Sequence, residues 1–251
     1  MKQTVSILGR LSMGLLTLSL LALARPAQAV PVLQLYIEGA TYDAATESWH
    51  ATIPTTGTIR LWTIGNVAGP GSHGAISNVR LAVGYGAGAN PTFTIAGSTT
   101  GGFGGFADPS TPSAPTHLQT RTDGSIPQLS DGSSLPSHGE YGAGTWWQEF
   151  RLGNFTLTDS PTADFINAFP TTPATTSGSQ INVYEINVTG TDFVHFDLYD
   201  GVQAGKKVKV VFAPFSHDAN GGGRVPEGGS TAIMLGLALM GFGGLRRKLQ
   251  K

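Results

Sequence analysis

Three Ser-His pairs punctuate the chain: Ser72-His73, Ser137-His138 and Ser216-His217, the last followed by Asp218. These residue types belong to hydrolases in which a histidine takes the proton of a serine and a carboxylate holds the imidazole. That chemistry needs the serine on a constrained turn beside an oxyanion hole. Sequence adjacency does not supply this, and no Gly-x-Ser-x-Gly elbow is present. The pairs read instead as loop residues satisfying turn backbone, and no catalytic residue is assigned. Scattered acids such as Glu140 and Glu149 leave one other enzymatic pattern, glycoside hydrolysis, which would need two carboxylates facing each other across a cleft.

Metal ligation has slightly more to work with. His195 and Asp197 stand two apart in a predicted strand and so share a face, while His217 and Asp218, with His138 and Glu140, offer nitrogen and oxygen ligands from loops. The dense acidic repeat of a calcium loop is missing, and so is His-Glu-x-x-His. No cofactor is therefore expected. Calcium is the ion that an acidic extracellular domain would take if it took one. Four tryptophans, Trp49, Trp62, Trp146 and Trp147, could form a platform for sugar rings. Trp146 and Trp147 must point to opposite faces if both lie in a strand, so at least one belongs to a core, and core packing is the expectation for each.

The two ends of the chain carry sharper signals. Lys2 and Arg10 precede an apolar stretch over 11–24, and Ala27-Gln28-Ala29 supplies the small-x-small pattern of signal-peptide cleavage, with Ala27 and Ala29 as the small residues. Residues 1–29 read as a signal peptide handled by the general secretion machinery, which places the mature N-terminus near Val30. At the other end a glycine-rich linker leads into Val225-Pro226-Glu227-Gly228-Gly229-Ser230, then an apolar helix over 231–245, then Arg246-Arg247-Lys248. The helix is shorter than the roughly 20 residues of a usual bilayer span, and the basic cluster holds its end in the cytoplasm. An ordinary single-pass anchor would share the helix but needs neither the Pro-acid motif nor the glycines.

Residues 225–248 resemble the PEP-CTERM sorting tail of bacterial exported proteins, in its VPDSG-like variant. The resemblance implies recognition and cutting by an exosortase, a membrane cysteine protease, after transient anchoring in the inner membrane. Gly229 departs from the small polar residue usual in the variant. In the body, LQLYIEGATYDAATESW, TIRLWTIGN, NVRLAVGYG, SHGEYG and FAPFSHDA resemble the domain called choice-of-anchor N. That resemblance implies export and supplies no activity.

The elements between the ends are those of an all-β chain. Residues 30–219 are one domain's worth of sequence, without cysteine, so packing alone must hold the fold. Residues 30–224 hold 8 of the 15 basic and 15 of the 16 acidic residues, a net charge of −7. Such a body does not suit nucleic acid, whose phosphates demand clustered cations. Short strands are predicted over 32–38, 47–53, 58–64, 78–83, 92–96, 146–158 (bulged at Gly153), 180–188, 193–199 and 206–212. The pair 47–53 and 58–64 is expected to form a hairpin about 54–57. In the last strand Val208, Val210 and Phe212 should share one face. These strands point to a single antiparallel β-sandwich, jelly-roll-like, with a closed barrel as the alternative. A Gly/Ser/Pro-rich loop over 97–144 is expected to run over one end of the sandwich, and residues 220–251 form the linker and sorting tail.

The expected function is that of an exported, non-catalytic protein of the cell surface or extracellular matrix, associated with exopolysaccharide. The alternative is a β-sandwich module that binds carbohydrate, supported by calcium.

Overall fold

The computed structural model describes residues 31–43, 48–53, 57–69, 71–98, 112–136, 140–162, 177–203, 209–213 and 216–220. The expected signal peptide over 1–29, residues 54–56 and the C-terminal segment with the apolar stretch 231–245 lie outside them. Among the described residues no helix is long and apolar enough to cross a membrane.

Two sheets form. The first runs β1 (Leu33–Ile37), β4 (Thr58–Asn66), β10 (Ser177–Thr189), β6 (Thr92–Gly97), with the two-residue β9 (Ser160–Pro161) against β10. The second runs β2 (Thr41–Asp43), β3 (Ser48–Thr52), β13 (Ser216–Asn220), β11 (Phe193–Gln203), β5 (Ile76–Gly86), β8 (Thr145–Phe155), β7 (Thr116–Arg121), with β12 (Lys209–Phe212) against β11. Every pairing is antiparallel except β3 with β13, which is parallel.

Register decides what meets across the sandwich. Leu61 pairs with both Ile37 and Tyr184, which sets those three on one face of the first sheet. Leu81 pairs with both Leu198 and Phe150, which does the same in the second. All six belong to one buried core, so the two sheets pack face to face. Each such side chain contributes about 1.5–3 kcal/mol through removal from water, which is how a chain without cysteine can hold together. The first sheet is covered on its other face as well. There Tyr36, Trp62, Ile64, Ile181 and Val183 form a second cluster, with Trp49 edge-on to Tyr36 at 5.4 Å and Tyr36 edge-on to Trp62 at 5.8 Å. With both faces covered, β4 is buried without a break from Leu61 to Asn66.

Three expectations need correction. β3 and β4 do not form a hairpin. β3 pairs with β2 and β13 in one sheet and β4 with β1 and β10 in the other, so the two consecutive strands belong to different layers. In β12 it is Val211 that enters the core, while Val210 packs on the opposite side and Phe212 is 38% exposed. A run of Val-Val-Phe offers apolar residues to both faces, so its alternation does not reveal which one is inward. The 97–144 segment is more than an excursion over one end. Within it β7 extends the second sheet as its edge strand, and residues 122–136 fold back onto that sheet's outer face.

That fold-back has a local cause. Asp123-Gly124-Ser125 and Asp131-Gly132-Ser133 are two copies of one turn, each with the Asp Oδ1 accepting from the Ser backbone N–H and hydroxyl. Both carboxyls are held below their ordinary range, first by the serine hydroxyl and then by the backbone N–H. Gly124 takes φ +72°, and a Cβ there would lie 2.8 Å from the Gly142 carbonyl oxygen. Across the second turn, the Leu129 N–H donates to the Ser133 carbonyl and the Leu135 N–H to the Pro127 carbonyl, closing a small backbone ladder. Leu129 and Leu135 are thereby pressed against Trp147 and Tyr199.

Candidate functional site

The outer face of the second sheet carries a row of polar side chains at its centre. β11 contributes His195, Asp197 and Tyr199 at successive alternate positions, and a bulge between Tyr199 and Gly201 brings Asp200 to the same side. β8 contributes Glu149, β5 contributes Arg80, and β7 contributes Gln119, which pairs with Glu149. Ala82 lies in register between Asp197 and Glu149, and its small side chain leaves room for them.

Glu149 is 1% exposed, so its charge requires partners. It accepts from the Tyr199 hydroxyl at 2.6 Å, from Gln119 Nε2 at 2.7 Å and from Arg80 at 3.2 Å. Asp200, fully buried, accepts from Asn78 Nδ2 at 3.1 Å and from the Ser130 backbone N–H. Arg80 Nε also lies 2.9 Å from Asp200 Oδ2, close in charge but without hydrogen-bond alignment. Asn78 and Asp200 both have positive φ, 59° and 60°, in bulged stretches of their strands. Their side chains bond each other, and Asn154 Oδ1 accepts from the Asn78 backbone N–H at 2.9 Å. Asn and Asp bear this conformation best among residues with a Cβ, and the mutual bonds hold it in place.

Beside this cluster lies a second one. Asp197 Oδ2 accepts from the Tyr141 hydroxyl at 2.6 Å and sits 2.8 Å from His195 Nε2, whose ring meets Tyr141 edge-on. Burial first, and the adjoining carboxylate second, push the phenols of Tyr141 and Tyr199 above the usual tyrosine range. Both therefore stay protonated as donors to Asp197 and Glu149.

The metal candidates divide. His195 and Asp197 share a face as expected, but they are bonded to each other, and His195 has no exposure. His217 and Asp218 stand on β13 opposite Phe196 and His195 in register, and their side chains lie outside the described residues. Among the described residues no group of three His, Asp or Glu side chains is placed to hold an ion. The Ser72 hydroxyl donates to the Val67 carbonyl at 2.7 Å, a turn role, and residues 137–138 lie outside the described set. Trp49, Trp62 and Trp147 are buried and Trp146 half-buried.

A cleft of about 410 Å³ opens where β7, Arg80 and the 125–130 turn meet, with Trp147 as one wall. Trp147 Nε1 donates to the Ser125 carbonyl at 2.7 Å, which fixes that wall to the turn. Reading the sequence missed this cleft and the Arg80–Glu149–Asp200 cluster. The available signal was a charged residue set inside an apolar strand, as in Val79-Arg80-Leu81.

Fold and site together define an all-β sandwich protein whose buried carboxylates are hydrogen-bonded within one covered sheet face. The tail adds the rest: residues 224–249 match the model of the VPDSG-CTERM motif, a sorting signal of the PEP-CTERM type. That motif marks an exported, cell-surface protein processed by an exosortase-type system. Among curated proteins none matches the chain.

Proposed function

We propose that the chain is a non-catalytic structural or adhesive protein of the cell surface or extracellular matrix. In this reading it is exported after cleavage at Ala29 and released from a transient membrane anchor by cutting within 225–230. The observation that carries this reading is the sorting motif at 224–249, which assigns the chain a destination. The state of the carboxylates supports the non-catalytic part. A general acid or base needs a proton position open to substrate, whereas Glu149 spends both oxygens, and Asp197 its Oδ2, on protein donors. Stability of the folded body, rather than turnover, is what these bonds supply.

The test is to replace Val225, Pro226 and Glu227 by alanine in the producing cells and to follow the protein by fractionation and intact mass. Retention of the variant in the membrane with its tail uncut, beside surface delivery of the wild type, is expected. Equal delivery of both would refute exosortase sorting. Hydrolysis of polysaccharide or ester substrates by the purified wild type would refute the non-catalytic role.

A further inference from the structure

The cleft beside β7 has a cation held in place without a carboxylate of its own. Glu149 Oε2 accepts from Gln119 Nε2 at 2.7 Å, which fixes the orientation of that amide. The amide oxygen then accepts from Arg121 Nε at 3.0 Å. A buried carboxylate thus orients a guanidinium at the surface through one intervening amide, although Arg121 itself is exposed. Among the described residues no carboxylate lies within ion-pair distance of Arg121. Asp123, two positions on, interacts with it through charge alone, and its Oδ1 is committed to Ser125.

We propose that this cleft binds a singly charged, hydroxylated carboxylate, a uronic-acid unit of an extracellular polysaccharide, with Arg121 taking the carboxylate. A guanidinium held at Nε presents its remaining N–H fork to a planar carboxylate, the geometry in which such pairs are strongest. Gln128 and Ser130 line the same cleft and can both donate to and accept from hydroxyls, while the Ser125 hydroxyl, which donates to Asp123, can still accept. Ile126, 37% exposed at its edge, offers an apolar surface to the C–H face of a ring. The volume of about 410 Å³ falls at the lower end of the range of about 300–1,000 Å³ usual for small-molecule sites, which suits one or two sugar units.

Charge favours the monoanion. Arg80, which also lines the cleft, faces two carboxylates, Glu149 and Asp200, which leaves Arg121 as the one lining cation for an added negative charge. A sulfate or phosphate dianion would meet the two buried carboxylates behind Arg80 without a second free cation.

The polysaccharide setting rests on the proposed surface role, whereas binding of the unit itself is independent of it. The experiment titrates the exported protein, purified from its own cells, with a short oligouronate, its methyl ester and inorganic sulfate, by calorimetry and tryptophan fluorescence. The oligouronate should bind and its methyl ester bind at least about tenfold more weakly, with R121Q losing at least about tenfold and R151Q, an exposed arginine on β8, unchanged. Protection of 119–130 from hydrogen exchange by the oligouronate locates the site. Equal affinity for the methyl ester, tight sulfate binding, an unaffected R121Q, or no binding at millimolar oligouronate would each overturn the proposal. None of these outcomes alters the mass or the delivery of the protein, so the surface reading stands or falls separately.

Discussion

Tyr199→Phe removes one hydroxyl from a fully buried position and leaves the ring in the cluster with Leu129, Trp147 and Tyr141. At neutral pH the loss is one hydrogen bond, 2.6 Å long, to a buried carboxylate. Bonds to charged groups are worth about 1.5–3 kcal/mol, and Glu149 keeps Arg80 and Gln119, so the cost belongs near the lower end. The pH dependence is the sharper test. Burial and the Glu149 charge raise the folded-state pKa of Tyr199 above the ordinary value of 10.0 that it recovers on unfolding. Its stabilisation is therefore complete below pH 10.0 and is lost as pH rises, because the unfolded chain then binds fewer protons than the native one. The slope is about 1.4 kcal/mol per pH unit for each such phenol. Tyr141 adds an equal slope in both proteins. Wild type should thus lose stability above this range about twice as steeply from the two phenols as Y199F does. By about pH 11.5 the deficit of Y199F should have shrunk by about 2 kcal/mol, enough to erase it. Urea unfolding followed by circular dichroism at neutral pH and at two alkaline pH values measures both quantities. A deficit that stays constant across that range would show that the phenol is not held protonated, and would refute the account of the cluster.

Tyr141→Phe should cost about 1.5–3 kcal/mol in the same assay, since Asp197 would retain only His195 as a side-chain donor. Gly65→Ala should lower stability by about 1–3 kcal/mol, because the added methyl meets the ring of Phe155 in the closed core and the side chain of Ile76 behind it. A thermal melt of that variant indistinguishable from wild type would mean the two sheets are less tightly packed there. Protein recovered from its own cells should begin near Val30 and lack 231–245 on mass spectrometry, and recovery of Lys251 would refute tail removal.

Legibility of the sequence followed the chemistry of each strand. β5, β10 and β11 were readable because each lines a face of the core with large apolar residues. The bulge in β8 was readable from Gly153, which takes φ +98° where β8 slips against Val79. β7 was not, since Thr116–Arg121 buries no large side chain and owes its conformation to hydrogen bonds with β8. Hydrophobic periodicity carries no trace of a polar edge strand. β2 and β13 stayed hidden for related reasons, β2 because it is only three residues long and β13 because it is short and joined to β3 across a long sequence separation.

The polar cluster was hidden by distance along the chain, and the same fact explains the loop. Arg80, Glu149 and Asp200 lie in three different strands, and each looks like an isolated surface charge until register brings them together. A sheet face that concentrates charge in this way is stable only if it is covered by groups that can donate to it. The 122–144 stretch meets that demand with few residues. Leu129 and Leu135 supply apolar cover, the Ser130 N–H and the Tyr141 hydroxyl reach Asp200 and Asp197, and paired Asp-Gly-Ser turns hold the shape. Its low apolar content, which suggests a spacer, follows from covering a polar surface. The opening left beside Arg121 is then the part of that face where the cover stops short.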